Sequence, residues 1–192
     1  MRELTYYVAT SVDGFIAGTD GDTTAFASAG DHIEWICQDY PDTLPDVALA
    51  ALGVTADGSR FDTTLMGWHT YAAGFEHTRD PYPHTRQIVF SRTRTAADAG
   101  GDVEVTAETP VDVVRELKGE KGSGIWLCGG GALAAQLVGE IDRLVLKVNP
   151  VAMGAGVPLF GDSAAGPRGL HLDEVRQFDS GVVVLDYTRQ EA

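Results

Sequence analysis

The sequence predicts an α/β domain: a central, mixed and mostly parallel sheet, helices on both faces, and antiparallel strands at the C-terminal end. Two observations carry this expectation. After Pro81 and Pro83 the pattern runs strand, helix, strand, helix, strand, which is the signature of parallel strands joined by helical crossovers. The tail then changes character, with Leu170 to Phe178 and Gly181 to Thr188 reading as two antiparallel strands joined at Asp179-Ser180-Gly181.

Leu4 to Thr10 is short, β-branched and aromatic and is ended by Asp13-Gly14, so it reads as a central strand. Phe15 to Gly18 leads into a Gly/Asp/Thr-rich loop over 18–30, a length at which loops are often functional. Asp31 to Tyr40 reads as a helix with Ile33, Ile36 and Cys37 on one face and Pro41 as its stop. Pro45 to Leu52 reads as a second helix, with Pro at its start and Gly53 just past its end. Thr63 to Gly67 is a buried-type strand, followed by a short helix from His69 to Ala73. Gln87 to Phe90 and Val103 to Val105 are strands, and Pro110 opens a helix in which Val111, Val114 and Leu117 share a face. Ile125 to Cys128 is an apolar strand and Ala132 to Val138 a short helix. Ile141 to Val148 reads as a long strand alternating Leu144, Leu146 and Val148 against Arg143, Val145 and Lys147. Met153 to Pro158 reads as a flexible connection without chemistry.

A chain of 192 residues matches one domain, 1–192, and buries roughly 70% of its unfolded surface on folding. With 44% apolar and 22% charged residues it falls among globular rather than disordered chains. No stretch approaches the ~20 apolar residues of a membrane span, and Met1 to Thr5 lacks a signal-peptide pattern, so a cytoplasmic protein is expected. Cys37 and Cys128 are far apart, which fits a reducing compartment and offers no disulfide framework or metal pattern. The balance of 28 acidic against 14 basic residues, a net charge of −14, argues against nucleic acid or an anionic membrane as partner.

Cys128-Gly129-Gly130-Gly131-Ala132-Leu133-Ala134 satisfies G-x-G-x-x-(G/A) between a strand and a helix. Glycines there let the backbone approach a ligand, and the helix amides suit a phosphate. A plain tight turn satisfies the same spacing. A Rossmann reading fits poorly, because the motif is late in the chain and Val148-Asn149-Pro150 stands where an acid is needed after the next strand.

Four stretches in order, Tyr7 to Ala17, Leu65 to Tyr71, Val89 to Thr93 and Leu127 to Gly131, resemble the bacterial dihydrofolate-reductase-like family, which includes the C-terminal reductase domain of bifunctional riboflavin-biosynthesis enzymes. Ile141 to Leu144 and Pro158 to Gly161 extend the resemblance over nearly the whole chain. It implies that main-chain groups of Val8, Ala9 and Ile16 hold the nicotinamide of NADPH. It implies further that Gly67, Trp68, His69 and Thr70 meet its diphosphate, joined by Gly129, Gly130, Gly131, Ala132 and Leu133. Ser91, Arg92 and Thr93 resemble the segment that reads the 2′-phosphate, to which guanidinium pairs bidentately. The family usually carries arginine where this chain has Trp68. The resemblance also implies a cis peptide between Gly129 and Gly130, and a homodimer.

Reduction of a nitrogen heterocycle needs hydride from the cofactor and a proton from the protein or water. Asp31 and Glu34 on the first long helix are the candidate catalytic carboxylates, and Trp35, four residues after Asp31, is the candidate substrate platform. Asp31 as a helix-start charge and Glu34 on a solvated face are the plainer readings. Asp13-Gly14 reads as a turn, with Asp13 bonding local amides. Three functions remain: a reductase most like 5-amino-6-(5-phosphoribosylamino)uracil reductase, a dihydrofolate reductase, and a cofactor-binding protein without catalysis.

Overall fold

The computed structural model describes residues 1–161 and 166–190. Its sheet is assembled from β1 (Leu4–Ser11), β3 (Phe61–Gly67), β4 (Arg86–Phe90), β5 (Glu104–Thr106), β6 (Gly124–Gly129), β7 (Arg143–Asn149), β9 (Leu170–Gln177) and β10 (Val183–Arg189). The strand order is β5-β4-β3-β6-β1-β7-β10-β9. The first six run parallel; β10 is antiparallel to both β7 and β9. A small second sheet pairs β2 (Phe15–Ala17) with β8 (Val157–Pro158). The α/β class, the parallel centre and the antiparallel tail therefore follow the expectation.

Helices cover both faces, which explains why the central strands are apolar on both sides. On one face α4 (Pro110–Gly119) and α5 (Gly131–Leu137) bury Val114, Leu117, Leu133 and Leu137 against Leu4, Tyr6, Leu65 and Leu127. On the other, α1 (Asp31–Asp39) packs Ile36 against Tyr7, Trp126, Val145 and Val184, while α3 (Trp68–Ala72) sets Tyr71 against Met66 and Val89. The expected in-and-out alternation of the strand after Ile141 is corrected by this layering: Val145 is fully buried under α1, and the strand begins at Arg143 rather than Ile141. Among the described residues no helix is long and apolar enough to cross a membrane.

Several boundaries have local causes. α2 (Asp46–Leu52) starts just past Pro45 and ends at Gly53, whose φ of 66° takes the left-handed cap position. β3 begins two residues earlier than expected because Asp42, wholly buried in a 3-10 turn over Pro41–Thr43, accepts the amides of Gly58, Arg60 and Phe61. The helix expected over His69 to Ala73 starts one residue sooner, directly off the strand.

The segment Met153 to Pro158, expected to be flexible, is pinned. The Asp13 carboxylate accepts the amides of Met153 and Gly154, and Val157 and Pro158 pair with β2. Asp13 thus bonds amides remote in sequence rather than local ones, while Gly14, at φ 86°, does turn the chain as expected.

Candidate active site

The carboxyl ends of β4, β3, β6, β1 and β7 lie side by side, and stretches distant in sequence meet there. Register pairs Gly67 with Phe90, Met66 with Gly129, Ala9 with Lys147 and Ser11 with Asn149. Such an edge is where open α/β sheets take ligands.

Two glycine turns meet at its middle. The Gly129–Gly130 peptide is cis, as the resemblance implies, and Gly129 has a φ of 145° that side chains rarely adopt. A Cβ on Gly130 would lie 3.2 Å from Thr70 Oγ1, so the turn after β6 closes directly on the start of α3. No side chain caps α3 or α5, and neither helix has an acidic residue in its first turn. In a chain with 28 acidic residues this leaves the two helix starts free of negative charge.

The expected cofactor residues divide here. Gly67, Trp68, His69 and Thr70 stand on this edge with Gly129 and Gly130; His69 and Ala132 are exposed. Gly131 has an internal reason to be glycine, since a Cβ there would run into the Pro158 carbonyl oxygen. Leu133 is a correction: its side chain is in the core and its amide donates to the Gly130 carbonyl at 3.0 Å, so neither is free for a ligand. Val8 turns its side chain into the α5-side core, so only its backbone faces the edge, while Ala9 faces the α1 side and Ile16 lies on β2.

Past β4, the Ser91 hydroxyl accepts the amides of Thr93 and Arg94 at 3.3 and 3.0 Å and curls the segment around itself. Arg92 is exposed and makes no ion pair among the described residues. Arg94 holds its guanidinium 5.4 Å from the centroid of the Trp68 ring, which itself stands edge-on against Tyr71 and Phe75. The Trp68 indole therefore carries a guanidinium from the neighbouring loop.

The expected carboxylates are corrected by their surroundings. Asp31 begins α1 and its oxygens accept the amides of Asp179 at 2.7 Å and Ser180 at 3.1 Å, tying the helix to the β9–β10 turn. Desolvation raises its pKa, but those amides outweigh it and hold the carboxyl below its usual range. Glu34 lies on the exposed face, bonded to Gln38. Neither acid stands over the sheet. Trp35 does join the buried cluster, 5.0 Å from Tyr40 and 5.7 Å from Phe178.

What stands on the α1-side face instead is Lys147, Cys128, Tyr7 and Tyr82. Lys147 lies with its ammonium 4.5 Å from the Tyr7 ring centroid, and desolvation lowers its pKa to about 8. Burial pushes the Cys128 thiol up to about 12, and burial together with the neighbouring Cys128 puts the Tyr82 phenol well above its usual range. The Tyr82 hydroxyl is 3.9 Å from the Cys128 sulfur. Tyr7 stacks on Tyr40 at 4.4 Å, and its hydroxyl has no hydrogen-bond partner among the described residues. In the sequence Lys147 reads only as the polar step of an alternating strand. The usable signal was a lysine, one of only three, at the carboxyl end of a central strand.

A dinucleotide phosphate fits these residues: glycines allow close approach, the helix starts carry no acid, Arg94 lies over Trp68, and Arg92 is exposed two residues away. A separate cleft of about 300 Å³, lined by Met1, Arg2, Arg60, Gly124 and Arg143, opens at the amino ends of the strands, away from these turns.

The model of the RibD C-terminal domain family matches residues 2–184. The uncharacterized protein YwjB of Bacillus subtilis is 31% identical over 98% of each chain, and YyaP of the same organism 28% identical over 97% of this chain and 94% of its own. A putative riboflavin biosynthesis protein from Shewanella sp. PV-4 superposes with a TM-score of 0.70 at 19% identity, covering 100% of both chains. A Thermotoga maritima diaminohydroxyphosphoribosylaminopyrimidine deaminase/5-amino-6-(5-phosphoribosylamino)uracil reductase does so at 0.62 and 14% identity, covering 98% of this chain and 57% of that one. These structural likenesses establish the fold.

Proposed function

The chain belongs to the RibD C-terminal domain family, with its dihydrofolate-reductase-like fold, and from that premise we propose that it is an NADPH-dependent reductase of a nitrogen heterocycle, most like 5-amino-6-(5-phosphoribosylamino)uracil. The observation that carries the reading is the meeting of the Gly129–Gly130 turn with Thr70 at the carboxyl ends of β6 and β3.

Bound NADPH supplies hydride, and the chain supplies position. Main-chain groups around Ala9 and Ile16 hold the nicotinamide, and the Gly67–Thr70 and Gly129–Ala132 turns take the diphosphate. Arg92 and Arg94 take the 2′-phosphate, with Arg94 standing in for the arginine that Trp68 replaces. Arg94 over the Trp68 ring weighs against the reading of a weakened, non-catalytic binder. Trp35 and Phe178 wall the substrate side. The dihydrofolate reading loses support, because neither Asp31 nor Glu34 faces the sheet.

The protein is cytoplasmic in this reading, consistent with two free cysteines, and works as a homodimer. Every residue of the edge strand β9 is exposed, including Leu170, Leu172 and Val175, as suits a surface awaiting a second copy.

The test is NADPH consumption with 5-amino-6-(5-phosphoribosylamino)uracil and, separately, dihydrofolate. Turnover of the first alone is expected. Binding of NADPH with turnover of neither would return the non-catalytic reading.

A further inference from the structure

Adding hydride to a C=N bond leaves a nitrogen that must gain a proton, and Asp31 and Glu34 are engaged elsewhere. Grouped on the α1-side face are the thiol of Cys128 on β6, the phenols of Tyr7 on β1 and of Tyr82 ahead of β4, and the amine of Lys147 on β7; of these, Cys128 and Lys147 stand near the carboxyl ends of their strands. Lys147 is the register partner of Ala9. Partners in adjacent strands stand about 4.8 Å apart with side chains on the same face. This roots the Lys147 side chain beside the residue against which the proposed function sets the nicotinamide, with its amine over the neighbouring Tyr7 ring, and the inference rests on that reading.

Lys147 has no structural employment equal to its position. It makes no ion pair among the described residues, whereas the buried Lys118 is held by Asp142 and by the Glu140 carbonyl. A half-buried lysine held against the Tyr7 ring without a carboxylate is costly unless function retains it.

We propose that Lys147 is the proton donor of the reduction. Its Nζ gives a proton to the substrate nitrogen whose C=N carbon receives the dihydronicotinamide hydride. The C=N π bond breaks, one C–H and one N–H bond form, oxidised nicotinamide and a neutral lysine remain, and water returns the proton to the amine. Hydride and proton together make up the two-electron reduction.

The surrounding groups leave the lysine to titrate alone. Cys128, Tyr7 and Tyr82 are held neutral by burial, as is Tyr40 at the end of α1; on β10, Asp186 is engaged by Arg143. The lysine itself titrates near 8, so it holds its proton at neutral pH and yields it more readily than the thiol or phenols.

The experiment uses the full chain, 5-amino-6-(5-phosphoribosylamino)uracil as probe substrate, and the variants Lys147→Met and Lys147→Arg. Single-turnover loss of dihydronicotinamide absorbance in the unmodified protein is expected to be level below pH about 8 and to fall roughly tenfold per unit above it. Lys147→Met should lose about 100-fold or more with NADPH affinity kept, and Lys147→Arg should keep KM while losing kcat, since guanidinium does not release its proton. Independently of turnover, acylation of Lys147 by an amine-reactive probe, read by mass spectrometry, should reach half its maximal rate near pH 8 and slow when NADPH is added. Rates within about threefold of the unmodified protein in Lys147→Met, or an acylation midpoint near an ordinary lysine's ~10.4, overturn the proposal and leave the reductase reading standing. Absence of turnover by the unmodified protein, with NADPH bound, overturns both.

Discussion

The Lys147 ammonium lies 4.5 Å from the centroid of the Tyr7 ring. That contact offsets only part of the cost of placing a charge there. The folded pKa, about 8, is below the ordinary lysine value of 10.5, so the unfolded chain binds more protons between those two values and stability rises with pH across that window. Each unit is worth about 1.4 kcal/mol, so Lys147→Met should stabilise the fold at pH 7 by on the order of 2 kcal/mol after the lost ring contact is allowed for. Urea denaturation at pH 7 and pH 10.5 checks this, the gain at pH 7 disappearing at the higher pH. Greater stability joined to lost turnover marks a residue kept for chemistry.

Arg94 over Trp68 makes a different claim, about cofactor choice. Arg92→Ala and Arg94→Ala should each weaken NADPH by roughly tenfold to a hundredfold, the worth of a hydrogen bond to a charged group, and leave NADH within about twofold. Fluorescence titration with both cofactors reads the difference. Equal losses would remove the arginine from the 2′-phosphate.

Asp13 is held by the Ser11 hydroxyl and the amides of Met153 and Gly154, which lower its pKa from 3.8 to about 2. A depressed carboxylate stabilises above its unfolded pKa and loses that contribution as pH falls through the folded one. The difference in urea midpoint between the unmodified chain and Asp13→Asn should therefore be constant above pH about 4 and vanish towards pH 2.

Gly131→Ala separates packing from ligand contact. Its Cβ would strike the Pro158 carbonyl, a backbone atom that cannot swing aside, so a loss of about 1–3 kcal/mol in unfolding free energy is expected even without cofactor.

For the exposed edge strand β9, Leu172→Lys with Val175→Lys should convert a dimer to monomer in sedimentation. A monomeric unmodified protein would remove the homodimer from the account.

The fold was legible because β6 and β1 are short apolar runs bounded by Gly and Asp, and because α2 is bracketed by Pro45 and Gly53. The glycine turn after β6 was legible for the same reason, since Gly129 takes a φ of 145° and a Cβ on Gly130 would press on Thr70 Oγ1. Lys147 was not, because alternation along one strand does not reveal that both faces are covered. Nor was the use of Asp31: its acceptors' partners, Asp179 and Ser180, are 148 and 149 residues away, and only the β9–β10 turn brings them to the helix. Asp13 was assigned to a turn correctly in place but not in partner, since Gly154 is 141 residues distant.

The central claim is that NADPH spans separate strand ends. Amide hydrogen exchange with and without NADPH tests it most directly. Protection is expected together in three segments, 67–70, 91–94 and 129–132. Protection confined to the amino-end cleft around Arg60 and Gly124, or no protection at millimolar NADPH, would contradict it.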